Sequence, residues 1–338
     1  MTTIKSTRRT AMLGGAAALA AIAAPRRARA QATEKLTIQI DGAAVPFYAP
    51  IYLAQEKGML ARNGIELQIV YAAAADILRN VAGGNVELGF PNGDAVIAAR
   101  ASGLPVKVVH TTYQRGIGAT LFKADRGIRG FADLKGRKVA VTSIGSPNYL
   151  QLQVGLKKAG LTIDDVKLEV IATGAIVQAL QADQVDAIVF SELRRYNLEA
   201  DGVKVGMISS NDFLPSFGNV VVTGERYLQA KPRMVRGFNA ALDEAIGYIV
   251  KGGLGEALDI AIAKHAPTWK GQEALLRSAF EGSFIPSIWQ SPLTRANGLG
   301  AGDIAAWQTN IDILAEYKVI DRGFRAQDLV VQPADIKA

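Results

Sequence analysis

Few residues in this chain have the types and spacing that chemistry needs. The stretch "TSIGSPN" (Thr142–Asn148) follows a short β-branched run and sets hydroxyls and a glycine ahead of Ser146-Pro147. Ser at an N-cap with Pro at the first helical position is a common helix start. A strand, a polar loop and a helix start together aim free N–H groups at whatever lies above the strand end. Such a loop can hold a polar or anionic group, and its candidate contacts are Ser143, Gly145, Ser146 and Asn148. Asn92 and Asp94 in "PNGD" and Glu192 after "VDAIVF" occupy similar places after other apolar runs. Phe47 and Tyr48 in "DGAAVPFYA" add aromatic surface.

Reaction machinery is missing beside these groups. The two histidines are His110, inside a predicted strand, and His265, just before Ala266-Pro267. They lie far apart in sequence and read as structural. The chain has no cysteine, which excludes disulfides, thiolate metal sites and a Cys nucleophile. No G-x-S-x-G elbow occurs. "GFADLKGRK" has the wrong spacing for a phosphate loop, and "GIGATL" lacks the third glycine of a dinucleotide fingerprint. The expectation is a binding site with no catalytic residue, no metal and no cofactor.

Composition narrows the class. At 338 residues, two domains are expected, and 49% hydrophobic with 20% charged is ordinary for a globular chain. The formal charge of +7 is a local effect, because Lys5, Arg8, Arg9, Arg26, Arg27 and Arg29 fall within the first thirty residues, which hold no acid. The remainder has 32 basic against 31 acidic residues, so nothing points to nucleic acid. Residues 1–30 read as an export signal: twin arginines Arg8-Arg9, a weakly apolar Ala/Gly run, and "ARA" ending at Ala30 as a cleavage site. A soluble periplasmic product is expected, exported by the twin-arginine route and beginning at Gln31.

The elements that would position the candidate residues follow a repeated order. Strands are predicted at 35–40, 65–70, 86–90 and 106–111, with helices between them opening at Pro50, Asp76 and Asp94. The order returns after residue 130, with strands at 137–141, 167–171 and 185–190. "YLQLQVGL" (Tyr149–Leu156) alternates like a strand, yet Ser146-Pro147 before it and Gly160 after it favour a helix. From about Asn219 one more strand, "NVVVT", leads into a mostly helical region whose Trp269, Trp289 and Trp307 read as packing residues. Alternating strands and helices predict parallel sheets in two similar α/β lobes. Ligands of such sheets bind outside the carboxyl ends of the strands. That rule selects the loops 41–49, 71–75, 91–94, 142–147, 171–174 and 191–192.

Three segments then carry a resemblance. "PFYAPIYLAQEKGMLARNGIELQIV", "FADLKGRKVAVTSIGS" and "VDAIVFSE" resemble, in order, motifs of ABC-transporter solute-binding proteins. The branch is the one with aliphatic-sulfonate, nitrate and thiamine-pyrimidine receptors. The likeness spans nearly all of 34–338, with Met59-Leu60 in place of the usual aromatic and Leu193 in place of a common Pro. It implies a type II periplasmic-binding-protein fold, two α/β lobes joined by two hinge strands with a ligand cleft between them. Lobe one would comprise 34–113 and 218–338, and lobe two 114–217, with Tyr113 at the first crossing as a further site residue. It also implies a monomer that closes over a small solute and delivers it to a membrane permease driven by an ATPase. An aminopyrimidine-like ring would stack on Tyr48 or Phe47, with Glu192 or Asp94 accepting its N–H groups. A sulfonate, taurine or nitrate would instead use the Ser146 helix start with Arg115 or Arg194. The fold family also includes fungal enzymes that make the thiamine pyrimidine from pyridoxal phosphate and one of their own histidines. Those enzymes carry a cysteine-rich motif, which this chain lacks.

Overall fold

The computed structural model describes residues 1–2 and 33–337, so the export signal expected over 1–30 lies almost wholly outside the described residues. Ten strands form two sheets: β1 (Glu34–Asp41), β2 (Ile65–Ala72), β3 (Leu88–Phe90), β4 (Val106–His110), β5 (Gly118–Lys123), β6 (Lys138–Val141), β7 (Lys167–Val170), β8 (Ala187–Ser191), β9 (Val205–Ser209) and β10 (Val221–Gly224). The first sheet has the order β2-β1-β3-β10-β4 and the second β7-β6-β8-β5-β9. Alternation explains β1, where Leu36, Ile38 and Ile40 are fully buried between more open neighbours.

The sheets are not wholly parallel as expected. β1 pairs with β2 and β3 in parallel, as β6 does with β7 and β8. However, β10 runs antiparallel to β3 and β4, and β5 runs antiparallel to β8 and β9. Each is the first strand after the chain passes from one sheet to the other. The chain leaves β4 at the carboxyl edge and must run away from that edge on entering the second sheet. The same constraint acts on β10 when the chain returns.

The helices that matter for the site are α1 (Ala49–Glu56), α2 (Met59–Arg62), α3 (Ala74–Gly83), α4 (Gly93–Ala101), α5 (Pro147–Lys158), α6 (Ile176–Gln181) and α7 (Arg194–Ala200). α5 is the segment whose sequence alternates, and it is a helix buried on two sides. Leu152 and Leu156 join the core under β6, with Val139 and Val141. Val154 joins the other lobe's core, with Val96, Phe217 and Trp307. Gln151 faces that same lobe, while Lys157 and Lys158 donate to the carbonyls of Tyr317 and Phe213. Two buried stripes on one helix abolish the single apolar face that usually marks a helix in sequence.

The C-terminal helices cover the first lobe. Trp289 and Trp307 are buried as packing residues, and Trp289 lies in an aromatic group with Phe280 and Phe284. Among the described residues no helix is long and apolar enough to cross a membrane.

Gly155 gives a test of this packing. A Cβ there would overlap the Phe131 ring, which itself lies edge-on to Phe213, 4.8 Å between centroids. Ala for Gly in an ordinary helix interior gains about 1 kcal/mol. Here overpacking prevails, and Gly155→Ala is expected to lower stability by ~1–2 kcal/mol. Urea unfolding measures this, and a gain in stability would contradict the packing of α5.

Candidate functional site

The carboxyl ends of the parallel strands present the residues that the sequence selects. Asp41 ends β1, with the backbone N–H groups of Gly42 and Ala74 near its carboxylate. Burial pushes its pKa up to about 6 against the pull of those two donors. Tyr48 lies beside it, donating its hydroxyl to the Asp41 carbonyl at 2.6 Å. The Tyr48 ring packs edge-on to Phe90 with centroids 6.0 Å apart and remains half-buried. Burial, followed by the Asp41 charge, raises its phenol well above the ordinary value.

The other two predicted aromatics face inward. Phe47 packs against Trp269, Phe280 and Phe284 at centroid distances of 5.5, 6.1 and 5.6 Å. Tyr113 is buried between Phe90 and Phe284, its hydroxyl donating to the Phe47 carbonyl at 3.3 Å. Both are core residues of the first lobe because the C-terminal helices cover them. Of the three, only Tyr48 keeps open surface.

Asn92 is the N-cap of α4, its side chain accepting the Asp94 N–H at 3.0 Å. Asp94 therefore lies in the first turn of α4, and it is fully buried. Asn310 donates to one carboxylate oxygen at 2.9 Å and Gln151 to the other at 2.8 Å. Burial raises its pKa to about 6, while the two amides and the Ser216 hydroxyl oppose the rise. Asp94 offers no free acceptor to a solute.

In the second lobe Ser146 caps α5 as the sequence predicts, accepting the Tyr149 N–H at 3.2 Å. Its hydroxyl donates to the Ser143 carbonyl at 2.7 Å, so it serves the loop's own structure. Ser143 and Asn148 are half-buried, and Gly145 is exposed beside Ile144. Glu192, expected as an acceptor, is instead paired with Arg115 at 2.6 Å, and its side chain is only 11% exposed. Arg115 also donates to Ser287 at 3.2 Å and to the Gly116 carbonyl at 3.1 Å. This ion pair stands at the first crossing between the sheets.

Three residues outside the main candidate set complete the aromatic side of the site. Arg194 opens α7, with its guanidinium 5.3 Å from the Phe190 ring centroid and 5.6 Å from that of Trp269. Burial lowers its pKa, with the Tyr48 hydroxyl acting in the opposite sense. Phe190 and Arg194 belong to the second sheet's lobe, Trp269 and Tyr48 to the first. Phe190 was detectable at the end of its strand, but nothing in the sequence ties Trp269 to Tyr48.

Both histidines have structural partners. His110 is buried between Thr112 and Asp243, 2.8 Å from each. His265 stacks on Tyr52 with centroids 4.1 Å apart and contacts Glu56 at 3.2 Å. Among the described residues no group of three or more His, Cys, Asp or Glu could hold a metal ion.

With this geometry in hand, the sequence of residues 45–252 matches the NMT1/THI5-like family. The chain belongs to that family. It is 26% identical over 293 residues to the riboflavin-binding protein RibY of Chloroflexus aurantiacus, covering 86% of this chain and 80% of RibY. It is also 26% identical over 235 residues to the 4-amino-5-hydroxymethyl-2-methylpyrimidine phosphate synthase of Aspergillus parasiticus, covering 64% of this chain and 67% of the synthase. In structure it is similar to the alkanesulfonate-binding protein SsuA of Xanthomonas axonopodis pv. citri bound to MOPS. The TM-score is 0.67 at 18% identity, covering 89% of this chain and 99% of SsuA. The fold of this NMT1/THI5-like chain is that of the periplasmic solute-binding proteins, as the sequence motifs implied.

Two measurements follow from the buried charges. Glu192→Gln leaves Arg115 half-buried without its carboxylate and is expected to cost ~1–3 kcal/mol in urea unfolding. Solute affinity should stay unchanged, and a lost affinity would return Glu192 to the binding surface. For Asp94, folding raises the pKa from 3.8 to about 6, so the folded chain holds this proton more tightly than the unfolded one. Its effect on stability is therefore most favourable below pH ~4 and worsens as pH rises to about 6. Asp41 acts with the same sign. In Asp94→Asn the amide oxygens of Gln151 and Asn310, which have no partner now, can turn to meet the new amide. The stability difference between variant and wild type should shift in the variant's favour by about 2 kcal/mol from pH 4.5 to pH 7. Unfolding at the two pH values that showed no such shift would mean that Asp94 is not the buried acid described.

Proposed function

We propose that this chain is the periplasmic solute-binding component of an ABC importer and that its solute carries an aromatic or heterocyclic ring. The observation that carries the reading is a site assembled from both lobes. Arg194 and Phe190 come from one lobe, and Trp269 and Tyr48 from the other. A solute held there by both lobes favours their closed arrangement, and hinge rotation is the usual motion of such folds. The closed form would dock on a permease whose ATPase supplies the energy, and the receptor itself would act as a monomer. An export signal ending at Ala30 would place the protein in the periplasm with Gln31 as its first residue.

Tyr48 supports the ring, since it is the predicted aromatic that keeps open surface. An aminopyrimidine reading loses two acceptors, because Glu192 and Asp94 are occupied. A small inorganic anion held by the Ser146 helix start loses the Ser146 hydroxyl. The synthase likeness keeps an enzymatic reading in view. Against it, the chain has no cysteine, and both histidines are engaged in partner networks of their own.

Thermal unfolding of residues 31–338 with aminopyrimidines, thiamine, riboflavin, taurine, alkanesulfonates, nitrate and aromatic acids tests the proposal. A ligand at a hundred times its dissociation constant stabilises by about 2.7 kcal/mol, which is roughly 3–4 °C for a chain of this size. A ring-bearing solute is expected to give this shift, and Tyr48→Ala to remove most of it. Formation of the thiamine pyrimidine on incubation with pyridoxal phosphate would overturn the receptor reading in favour of an enzyme.

A further inference from the structure

We propose that Arg194 is the solute-binding cation and that the solute is an aromatic or heteroaromatic acid, a ring bearing a carboxylate or sulfonate. The inference rests on the solute-binding reading above and narrows it to one ligand chemistry.

The guanidinium of Arg194 has no ion pair and no hydrogen-bond acceptor among the described residues, and the side chain is half-buried. The carboxylates that might have neutralised it are committed elsewhere. Glu192 is bound to Arg115 at 2.6 Å, and Asp94 to Gln151 and Asn310. The next residue makes an internal comparison. Arg195 lies about 100° further round α7, and it meets Glu199 at 3.6 Å. Of these two adjacent arginines, the one that lacks an acid is the one at the aromatic meeting of the lobes.

Phe190 and Trp269 interact with the cation through their ring faces. Neither ring supplies an acceptor for the five N–H donors at the edge of the group. A half-buried guanidinium with no acid of its own is a ready partner for an anion, and a planar oxyanion fits its fork. Tyr48, whose hydroxyl acts electrostatically on the cation, offers a ring surface and a hydroxyl already turned to the Asp41 carbonyl. The donors and the ring surface together describe a solute with an anionic end and an aromatic body.

Matched pairs separate charge from ring: benzoate and benzamide, nicotinate and nicotinamide, benzenesulfonate and benzenesulfonamide, with riboflavin and 4-aminopyrimidine as neutral rings. Calorimetry and thermal unfolding of residues 31–338 should show an acid binding while its amide partner binds at least tenfold more weakly. Arg194→Met should weaken that acid by roughly 10–100-fold, the range of a charged hydrogen bond. Arg195→Met, about 100° further round the helix and paired with Glu199, should leave the affinity in place. Should Arg194→Met fold poorly, Arg194→Lys keeps the charge without the fork and should retain part of the binding. Neutral rings binding as well as their acids, an affinity indifferent to Arg194, or no acid binding at all would each overturn the inference. In the first two cases the receptor reading stands. If neither rings, aliphatic sulfonates nor nitrate bind, that reading falls as well.

Discussion

A carboxylate shut away from water ties the two lobes together. Asp94 lies in the first turn of α4 in the first lobe, and its two oxygens are held by Asn310 of that lobe and Gln151 of the other. Ionised carboxylates are costly to bury and tolerable only where donors surround them. Removing either amide would leave an oxygen unpaired, at a cost on the order of 1–3 kcal/mol. Neighbouring residues conform to this requirement. Position 118 is glycine where the Gln151 side chain passes, since a Cβ there would overlap its amide. α5 lies flush against both lobes, carrying Val154 into one core and Leu152 and Leu156 into the other.

The disposition of charge separates structure from recognition. At the crossing between the sheets, Arg115 and Glu192 neutralise each other, with Ser287 and the Gly116 carbonyl taking further guanidinium donors. The pair also lines a cavity of about 230 Å³ with Arg195, Tyr196 and Ser283. At the aromatic meeting of the lobes, Arg194 has rings on its faces and no acid beside it. These two environments lie on neighbouring turns of one short segment, from the end of β8 into α7. A one-residue change in helix phase is enough to send one arginine to Glu199 and the other to the aromatic meeting of the lobes.

What the sequence made legible was local. Ser146-Pro147 marked the start of α5 because capping needs only residues three apart, and the alternation of β1 exposed its buried face. β5 left no such trace, since every residue but Lys123 is buried and the two faces do not differ. β9 is half-buried throughout, with the same loss of contrast. The fate of the candidate acids was not local. Asp94 meets partners 57 and 216 residues away, and Glu192 meets its arginine 77 residues away. An acid at a strand end looks the same in sequence whether it awaits a solute or is already spent. Phe47 and Tyr48 make the same point at closer range. They are adjacent, yet only the first is covered by Trp269, Phe280 and Phe284.

The same buried contact constrains how the lobes can move. A rotation that drew Gln151 away from Asp94 would strand a desolvated carboxylate, and one that lifted Val154 would expose apolar surface of the first lobe's core. Rotations that pivot near α5 avoid both costs. They still change the separation of groups farther out, and Arg194 stands among those, between rings from the two lobes. The contacts near α5 are apolar, or polar and satisfied within the chain, so they are the same whether or not a solute is present. The inner contacts therefore tolerate such a rotation, since nothing there has to change.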